Sequence, residues 1–200
     1  MRLLSISAQI IAFCAVCINA SAESQDDFAK AYFLNLKTLC TAEAYAGRLV
    51  TNDLADRDFQ EAMIIMGPAR CTKDTIDIPL AVGADRSRIW QISKTPTGLR
   101  LKHDHTHTDG TKDVLTQYGG DSLGQGTHYR QSFSVDAETR ALFTRADISV
   151  SNQNTWAMDI YPGLSFSYEM WRPERHFRLV FDLSSPVIPP PAPWADAPTD

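Results

Sequence analysis

Three of the chain's five histidines stand at alternate positions, His103, His105 and His107, in the run LRLKHDHTHTDG that begins at Leu99. Successive side chains of a β-strand point to opposite faces, so these histidines share a face with two leucines. Buried imidazoles require hydrogen-bonding partners, and imidazole is also a preferred ligand of Zn, Cu, Ni and Fe. The run therefore indicates histidines bonded within a core, a pocket for an organic ligand, or a metal site.

The dipeptide Asp109-Gly110 predicts a two-residue hairpin turn after the histidines. Counting back from that turn gives the pairs His107 with Lys112, His105 with Val114, His103 with Thr116, and Leu101 with Tyr118. In this register the polar side chains of Thr116 and Tyr118 lie beside His103 and His105. These four residues are the candidate ligand-binding set, and His107 is expected near solvent.

A divalent metal ion is the cofactor that this run would accept. Alternate residues of a strand lie roughly 6.6 Å apart, so two neighbouring histidines can share one ion but three cannot. We therefore expect a metal site to use His103 and His105, with Asp109 and His128 supplying further ligands.

The spacing His103-x-His105-x3-Asp109 resembles the first metal motif of cupins, and His128 follows a glycine-rich stretch, as in their second motif. The resemblance implies a metal-dependent enzyme on a β-barrel. Asp109 stands where cupins have Glu, and the glycine that closes the first motif is missing. Sequence signatures of hydrolase nucleophiles, P-loops and dinucleotide sites are also missing, so an activity is not predicted.

Residues 1–22 have the pattern of a cleaved signal peptide. Arg2 precedes an apolar stretch over 10–18, and small residues follow it up to Ala22. The stretch is shorter than a membrane-spanning helix requires, and no later segment is longer. We expect a periplasmic or secreted protein without a membrane span.

Two cysteines, Cys40 and Cys71, lie beyond the predicted signal peptide. An even number of cysteines in an oxidising compartment favours a disulfide, with two buried free thiols as the alternative. The chain has 19 basic and 24 acidic residues and a net charge of −5. A net negative charge argues against nucleic acid as a partner.

Apolar residues recur at three- and four-residue steps only near the start, which predicts a helix over 26–40. The later chain alternates between apolar and polar residues in short runs. We predict strands near 45–51, 59–67, 74–82, 87–94, 98–107, 113–119, 128–135, 154–161, 164–171 and 175–183. A turn is expected at Arg172-Pro173-Glu174, and the segment 118–126 is interpreted as a loop. The stretch 137–145 has a helix-like pattern, with a long loop as the alternative.

About ten sequential strands favour an antiparallel, lipocalin-like β-barrel, with a two-layer β-sandwich as the alternative. The prediction is one domain over 23–184, followed by a proline-rich extended tail over 185–200 in which proline prevents regular pairing.

Three stretches resemble those of a group of small exported bacterial proteins with no assigned activity: LRLKHDHTHTDG with the following YGGD, NTWAMDIYPG at 154–163, and the ending from FRLVFDL to PPPAPW. The resemblance implies export from a bacterial cell and assigns no catalytic residue. Together these patterns predict a binding protein for a small molecule or a metal ion. A metalloenzyme and a structural or envelope-assembly module are the alternatives.

Overall fold

A computed structural model describes residues 24–124 and 126–196. The predicted signal peptide, residues 1–22, lies outside the described residues. Strands make up 46% and helices 22% of the structure. The strands are β1 Ala44–Leu49, β2 Ile64–Met66, β3 Arg70–Cys71, β4 Thr75–Val82, β5 Asp85–Thr95, β6 Gly98–His105, β7 Tyr118–Asp121, β8 Arg130–Ser134, β9 Thr155–Tyr161, β10 Ser165–Arg172 and β11 Arg175–Val187.

The strands form a nearly closed antiparallel barrel of ten strands, and the predicted fold class is confirmed. Neighbours in the sheet follow the order of the chain from β1 to β7 and from β8 to β11, and β1 pairs with β11. The short strand β3 adds to β4 beside β2. Between β7 and β8 the barrel is joined by a bridge from Ser122 to Phe133 and by the Leu123 N–H donating to the carbonyl of Ser132 at 2.9 Å.

Alternation along β10 and β11 separates the core from the outer face. Phe166 and Tyr168 face Phe181 and Leu179 across the two strands, and all four are buried. The turn between these strands lies at residues 173–174, where the sequence predicts it.

One end of the barrel is closed by α1, Gln25–Leu36, which continues as a 3-10 turn over Lys37–Leu39. Ser24 and Asp27 form a capping box that fixes the start of the helix. Tyr32, Phe33 and Leu36 are fully buried in the common core.

A disulfide between Cys40 and Cys71, as predicted, joins the end of this helical segment to β3. The Asn35 side-chain amide also donates to the carbonyl of His128 at 2.8 Å, and the Lys94 ammonium lies 4.7 Å from the centre of the Phe33 ring. Helix α1 is thus attached to several strands at the closed end.

Irregular segments and short helices surround the other end. They comprise a 3-10 turn over Leu54–Asp56, α2 over Arg57–Glu61, the loop 106–117, α3 over Ala137–Arg145 and a 3-10 turn over Ser149–Gln153. The strand predicted over 59–67 is wrong for its first half, because Asp53 caps the turn that leads into α2. The stretch 137–145 is the helix and not the long loop, because Asp136 accepts from the Thr139 N–H and caps it.

The predicted register between the histidine strand and the next strand is wrong by two residues. His103 lies opposite Tyr118, and Leu101 lies opposite Gly120. Residues 113–117 form turns rather than a strand, because the Asp113 carboxylate accepts from the Leu115 N–H at 2.7 Å and Gln117 has a φ of 65°. A shift of two residues preserves the faces of β6 and β7, so His103 and Tyr118 still point inward. Residues 112 and 116 do not keep their predicted face: Thr106 and not His107 lies opposite Lys112, and Thr116 bonds to Asp104 on the outer face.

The segment Tyr118-Gly119-Gly120-Asp121 is the strand β7 and not a loop. At Gly120 an added Cβ would lie 1.6 Å from the carbonyl oxygen of Ser134. Only glycine permits this approach of β7 to the chain leaving β8, so the glycines make the near closure of the barrel possible.

Strand β11 continues to Val187, beyond the predicted domain end at 184, and Pro186 lies opposite Tyr45. Pairing with β10 starts at Asp182, whereas Val187 and Pro186 pair with Ala44 and Tyr45 of β1. A proline without an N–H fits such an unpaired edge. The following chain contacts the barrel where the Arg86 guanidinium donates to the carbonyl of Ala192 at 2.7 Å. None of the helices in 24–124 and 126–196 has both the length and the apolar character needed to cross a membrane.

Candidate functional site

A cavity of about 560 Å³ enters the barrel at the end opposite α1. Strands β5, β6, β7, β9, β10 and β11 supply its inner wall, and the surrounding loops supply its rim. Four aromatic side chains dominate the wall: Trp90, Tyr118, Trp156 and Tyr168. The cavity is neither sealed nor flat, so a molecule can enter from solvent.

His103 forms the middle of a row across three strands, with Trp90 on one side and Tyr118 on the other. Its ring stacks on Tyr118 with centroids 4.3 Å apart, and Trp90 stacks on Tyr168 at 4.6 Å. Offset stacking of this kind adds to the free energy of burial. The row forms the rigid floor of the cavity.

Both ring nitrogens of His103 are engaged within the protein. Nδ1 donates to the carbonyl of Tyr118 at 3.1 Å, so Nε2 is left to accept from the Tyr168 hydroxyl at 2.8 Å. Burial lowers the pKa of His103 to about 3, because the charged ring would lose its hydration. His103 is therefore a neutral structural side chain that holds two aromatic walls together.

His105 lies one step closer to the rim and is only partly buried. Its Nε2 is 3.4 Å from the Tyr118 hydroxyl, and Arg88 is its cross-strand neighbour. Burial, aided by the nearby Arg88 charge, lowers the pKa of His105 to about 4. The neutral His105 imidazole and the Tyr118 hydroxyl both line the cavity and interact weakly with each other, so both can bond to a ligand.

Thr116 lies outside the cavity lining. Its hydroxyl accepts from the His105 backbone N–H at 3.0 Å and donates to the Asp104 carboxylate at 2.9 Å. Asp104 points to the outer face, as its parity requires, yet only 3% of it is exposed. The loop 106–117 covers it, and the Lys112 ammonium contacts both carboxylate oxygens at 2.7 and 2.8 Å.

The four candidate metal ligands do not come together. Asp109 lies in the exposed turn, where it accepts from Thr111 at 2.9 Å. His128 lies beside α1 at the closed end, with its ring centre 5.1 Å from that of Phe28. Among residues 24–124 and 126–196, no three His, Cys, Asp or Glu side chains form a group suited to a metal ion.

Sequence reasoning missed the charged groups at the rim. The cavity lining includes Arg88, Arg172 and Arg175, together with Asp56 and Asp113. Side-chain parity along the strands, which predicts inward histidines, also predicts inward arginines. Arg88 has the parity of Trp90, Arg172 that of Tyr168 and Met170, and Arg175 that of Phe177.

Comparisons with known proteins add no relative: no family model, no curated protein and no solved structure matches the chain.

Proposed function

We propose that this protein is an exported binding protein that holds one small, mostly apolar organic molecule in the barrel cavity and catalyses no reaction. The observation that carries this proposal is the aromatic wall of the open cavity, formed by Trp90, Tyr118, Trp156 and Tyr168. Large aromatic faces around an accessible space suit a flat or flexible apolar ligand.

The size of the cavity supports a single ligand of modest size. Pockets for small molecules occupy roughly 300–1,000 Å³ and have mainly apolar walls with a few polar groups. The cavity of about 560 Å³ lies in this range. The His105 ring and the Tyr118 hydroxyl are among its few polar groups, and aromatic rings form much of its wall.

An organic ligand is favoured over a metal ion. A metal ligand needs a free nitrogen lone pair, and the single lone pair of His103 already accepts from Tyr168. His105 alone is a poor site for an ion. The metal-dependent alternatives therefore have less support than an organic ligand.

Export is part of the proposal and rests on the sequence. The basic and apolar pattern of residues 1–22 is typical of a signal peptide, and the Cys40–Cys71 disulfide fits an oxidising compartment. Intact mass of the protein from its own host should match a chain that begins at Glu23. A full-length cytoplasmic chain would contradict this part.

Binding can be tested with N-phenyl-1-naphthylamine, a neutral dye whose fluorescence rises in apolar surroundings. We expect saturable binding of one dye molecule per protein, with energy transfer from Trp90 or Trp156. Titration of the folded protein, with stoichiometry by native mass spectrometry, measures both. Weak, non-saturating fluorescence would contradict the proposal.

Two neighbouring substitutions provide a matched control. Leu115 lines the cavity, whereas the adjacent Val114 is 81% exposed and does not. Leu115→Trp should fill the entrance and weaken dye binding about tenfold, or ~1.4 kcal/mol. Val114→Trp should leave the affinity unchanged. Equal effects of the two variants would show that the dye binds elsewhere.

A further inference from the structure

Three arginines line the cavity, and two of them are neutralised by carboxylates of the protein. Arg175 contacts both oxygens of Asp56, with one contact at 2.7 Å, and lies 3.2 Å from Asp53. Arg88 forms an ion pair with Asp85. Their charges are therefore satisfied without a ligand.

Arg172 differs from these two. Its Nη1 donates to the side-chain oxygen of Asn154 at 3.1 Å, and it forms no ion pair with a carboxylate among residues 24–124 and 126–196. A guanidinium has five N–H donors, so most of them remain for another acceptor. Arg172 is partly buried, and a cation removed from water is stabilised by an anion.

The position of Arg172 follows from the barrel. It is the last residue of β10, two positions beyond Met170, which also lines the cavity. Asn154 precedes β9 beside it, because Thr155 pairs with Trp171. Asn154 is 8% exposed, so its side chain is a well-placed support for the guanidinium.

Carboxylates of the protein pair with Arg88 and Arg175, and Arg172 is left without one among residues 24–124 and 126–196. The cavity lining has three arginines and two aspartates, and Asp85 and Asp53, which pair with Arg88 and Arg175, lie outside that lining. Counted together, these carboxylates leave no excess of positive charge at the cavity as a whole. The cation that can accept an added anion is therefore the guanidinium of Arg172.

We propose that the ligand is a monoanionic amphiphile, such as a carboxylic or sulfonic acid, whose apolar body lies against the aromatic wall and whose anionic group binds Arg172. The proposal rests on the proposed binding function and specifies its ligand class. Planar guanidinium donors match the two oxygens of a carboxylate or sulfonate.

Two dyes with the same ring system isolate the anionic group. N-phenyl-1-naphthylamine is neutral, and 8-anilino-1-naphthalenesulfonate has an added sulfonate. We expect the sulfonate to bind the wild type about tenfold more tightly than the neutral dye, as charge-assisted hydrogen bonds allow. Dodecanoate should displace it more effectively than dodecanol.

The variants Arg172→Gln and Arg172→Lys assign the preference to this side chain. Arg172→Gln should abolish the preference and leave the neutral dye within about twofold of the wild type. Arg172→Lys should retain part of it. The control is Arg48→Gln, which removes the same charge from an exposed position outside the cavity lining and should behave as the wild type.

Each outcome decides between the two proposals. If the neutral dye binds one to one but the sulfonate gains nothing, or if Arg172→Gln leaves the gain intact, the anion site is wrong and the binding function stands. If neither dye saturates a single site in the wild type, the binding function itself fails. Equal weakening of both dyes by Arg172→Gln would make Arg172 a structural residue.

Discussion

The two ends of the barrel are built from similar strands, but one end is filled by a helix and the other contains a cavity. At the closed end, α1 brings Tyr32, Phe33 and Leu36 into the core, and the Cys40–Cys71 disulfide secures its far end. At the open end, aromatic side chains line a cavity of about 560 Å³ that no described residue of the barrel fills.

This difference indicates where the fold is stabilised and where it can bind. A fully buried apolar side chain contributes about 1.5–3 kcal/mol, and α1 places several of them at the closed end. The open end leaves apolar surface incompletely covered and places charged groups beside it. Substitutions at the closed end should therefore change stability, and substitutions at the open end should change binding.

Removal of the disulfide is the largest expected change. The two cysteines are 31 residues apart, and loss of a cross-link over such a loop costs about 4 kcal/mol in the chain-entropy model. The double variant Cys40→Ala with Cys71→Ala should lose that much in urea unfolding followed by circular dichroism. Its cavity should still bind N-phenyl-1-naphthylamine below the transition, and loss of binding in a folded variant would contradict the separation of the two ends.

A matched pair of leucines tests the same separation. Leu36 is fully buried in α1, whereas Leu115 is partly buried at the cavity. Leu36→Ala should reduce the free energy of unfolding by about 3 kcal/mol, because it leaves a void in packed surroundings. Leu115→Ala should cost under about 1 kcal/mol and alter dye affinity. A larger loss of unfolding free energy in Leu115→Ala than in Leu36→Ala, measured by denaturant titration, would contradict the separation of the two ends.

Acid should destabilise the protein through the floor of the cavity. Burial lowers the pKa of His103 to about 3, whereas an unfolded histidine titrates near 6.5. Between these values the unfolded state binds a proton that the folded state does not. The free energy of unfolding should therefore fall as the pH decreases below about 6.5, by up to ~1.4 kcal/mol per pH unit, and this contribution is constant above that pH.

The variant His103→Gln identifies the source of this dependence. It should be less stable than the wild type at pH 7.5, because it loses the stacked ring, yet its stability should change less between pH 6.5 and 5. His107→Gln, at a side chain that is 53% exposed, should follow the wild-type profile. An unchanged slope in His103→Gln would show that another group binds the proton.

The smallest effect concerns the loop over the outer face of β6. Asp104→Asn should cost about 1 kcal/mol, because Lys112, its ion-pair partner, is half exposed and screened by solvent. Amide exchange in residues 107–117 should accelerate. The exposed acid Asp58 in α2 gives a control, Asp58→Asn, with unchanged exchange in that loop; acceleration in both variants would remove Asp104 as the specific anchor.

Alternation was sufficient to predict the barrel and the inward direction of His103, because side-chain parity survives a register shift of two residues. It was insufficient for the register itself. The predicted register assumes that Asp109-Gly110 forms a two-residue hairpin turn with a regular strand after it. In the structure the Asp113 side chain accepts from the Leu115 N–H, and the chain turns there before β7 begins. Local side-chain bonds of this kind compete with strand pairing and are not visible in a hydrophobic pattern.

The candidate site was predictable in part. The same parity rule that placed the histidines inward also applies to Arg88, Arg172 and Arg175, but an arginine at the end of a strand is usually read as a surface residue. The hydrogen-bond partner of His103 Nε2 is the Tyr168 hydroxyl, which is 65 residues away. A contact at that separation follows from barrel closure and not from local sequence.

The pairing of β1 with β11 sets the order in which the molecule can assemble. Thr51 and Arg178, which bond across this junction, are 127 residues apart. The hairpins between β4 and β7 and between β9 and β11 can form from local contacts, whereas this junction must close a long loop of chain before it gains any contact energy. Until β11 has been synthesised, β1 has an exposed edge, and a chain truncated before residue 175 should be prone to pair with other copies of itself.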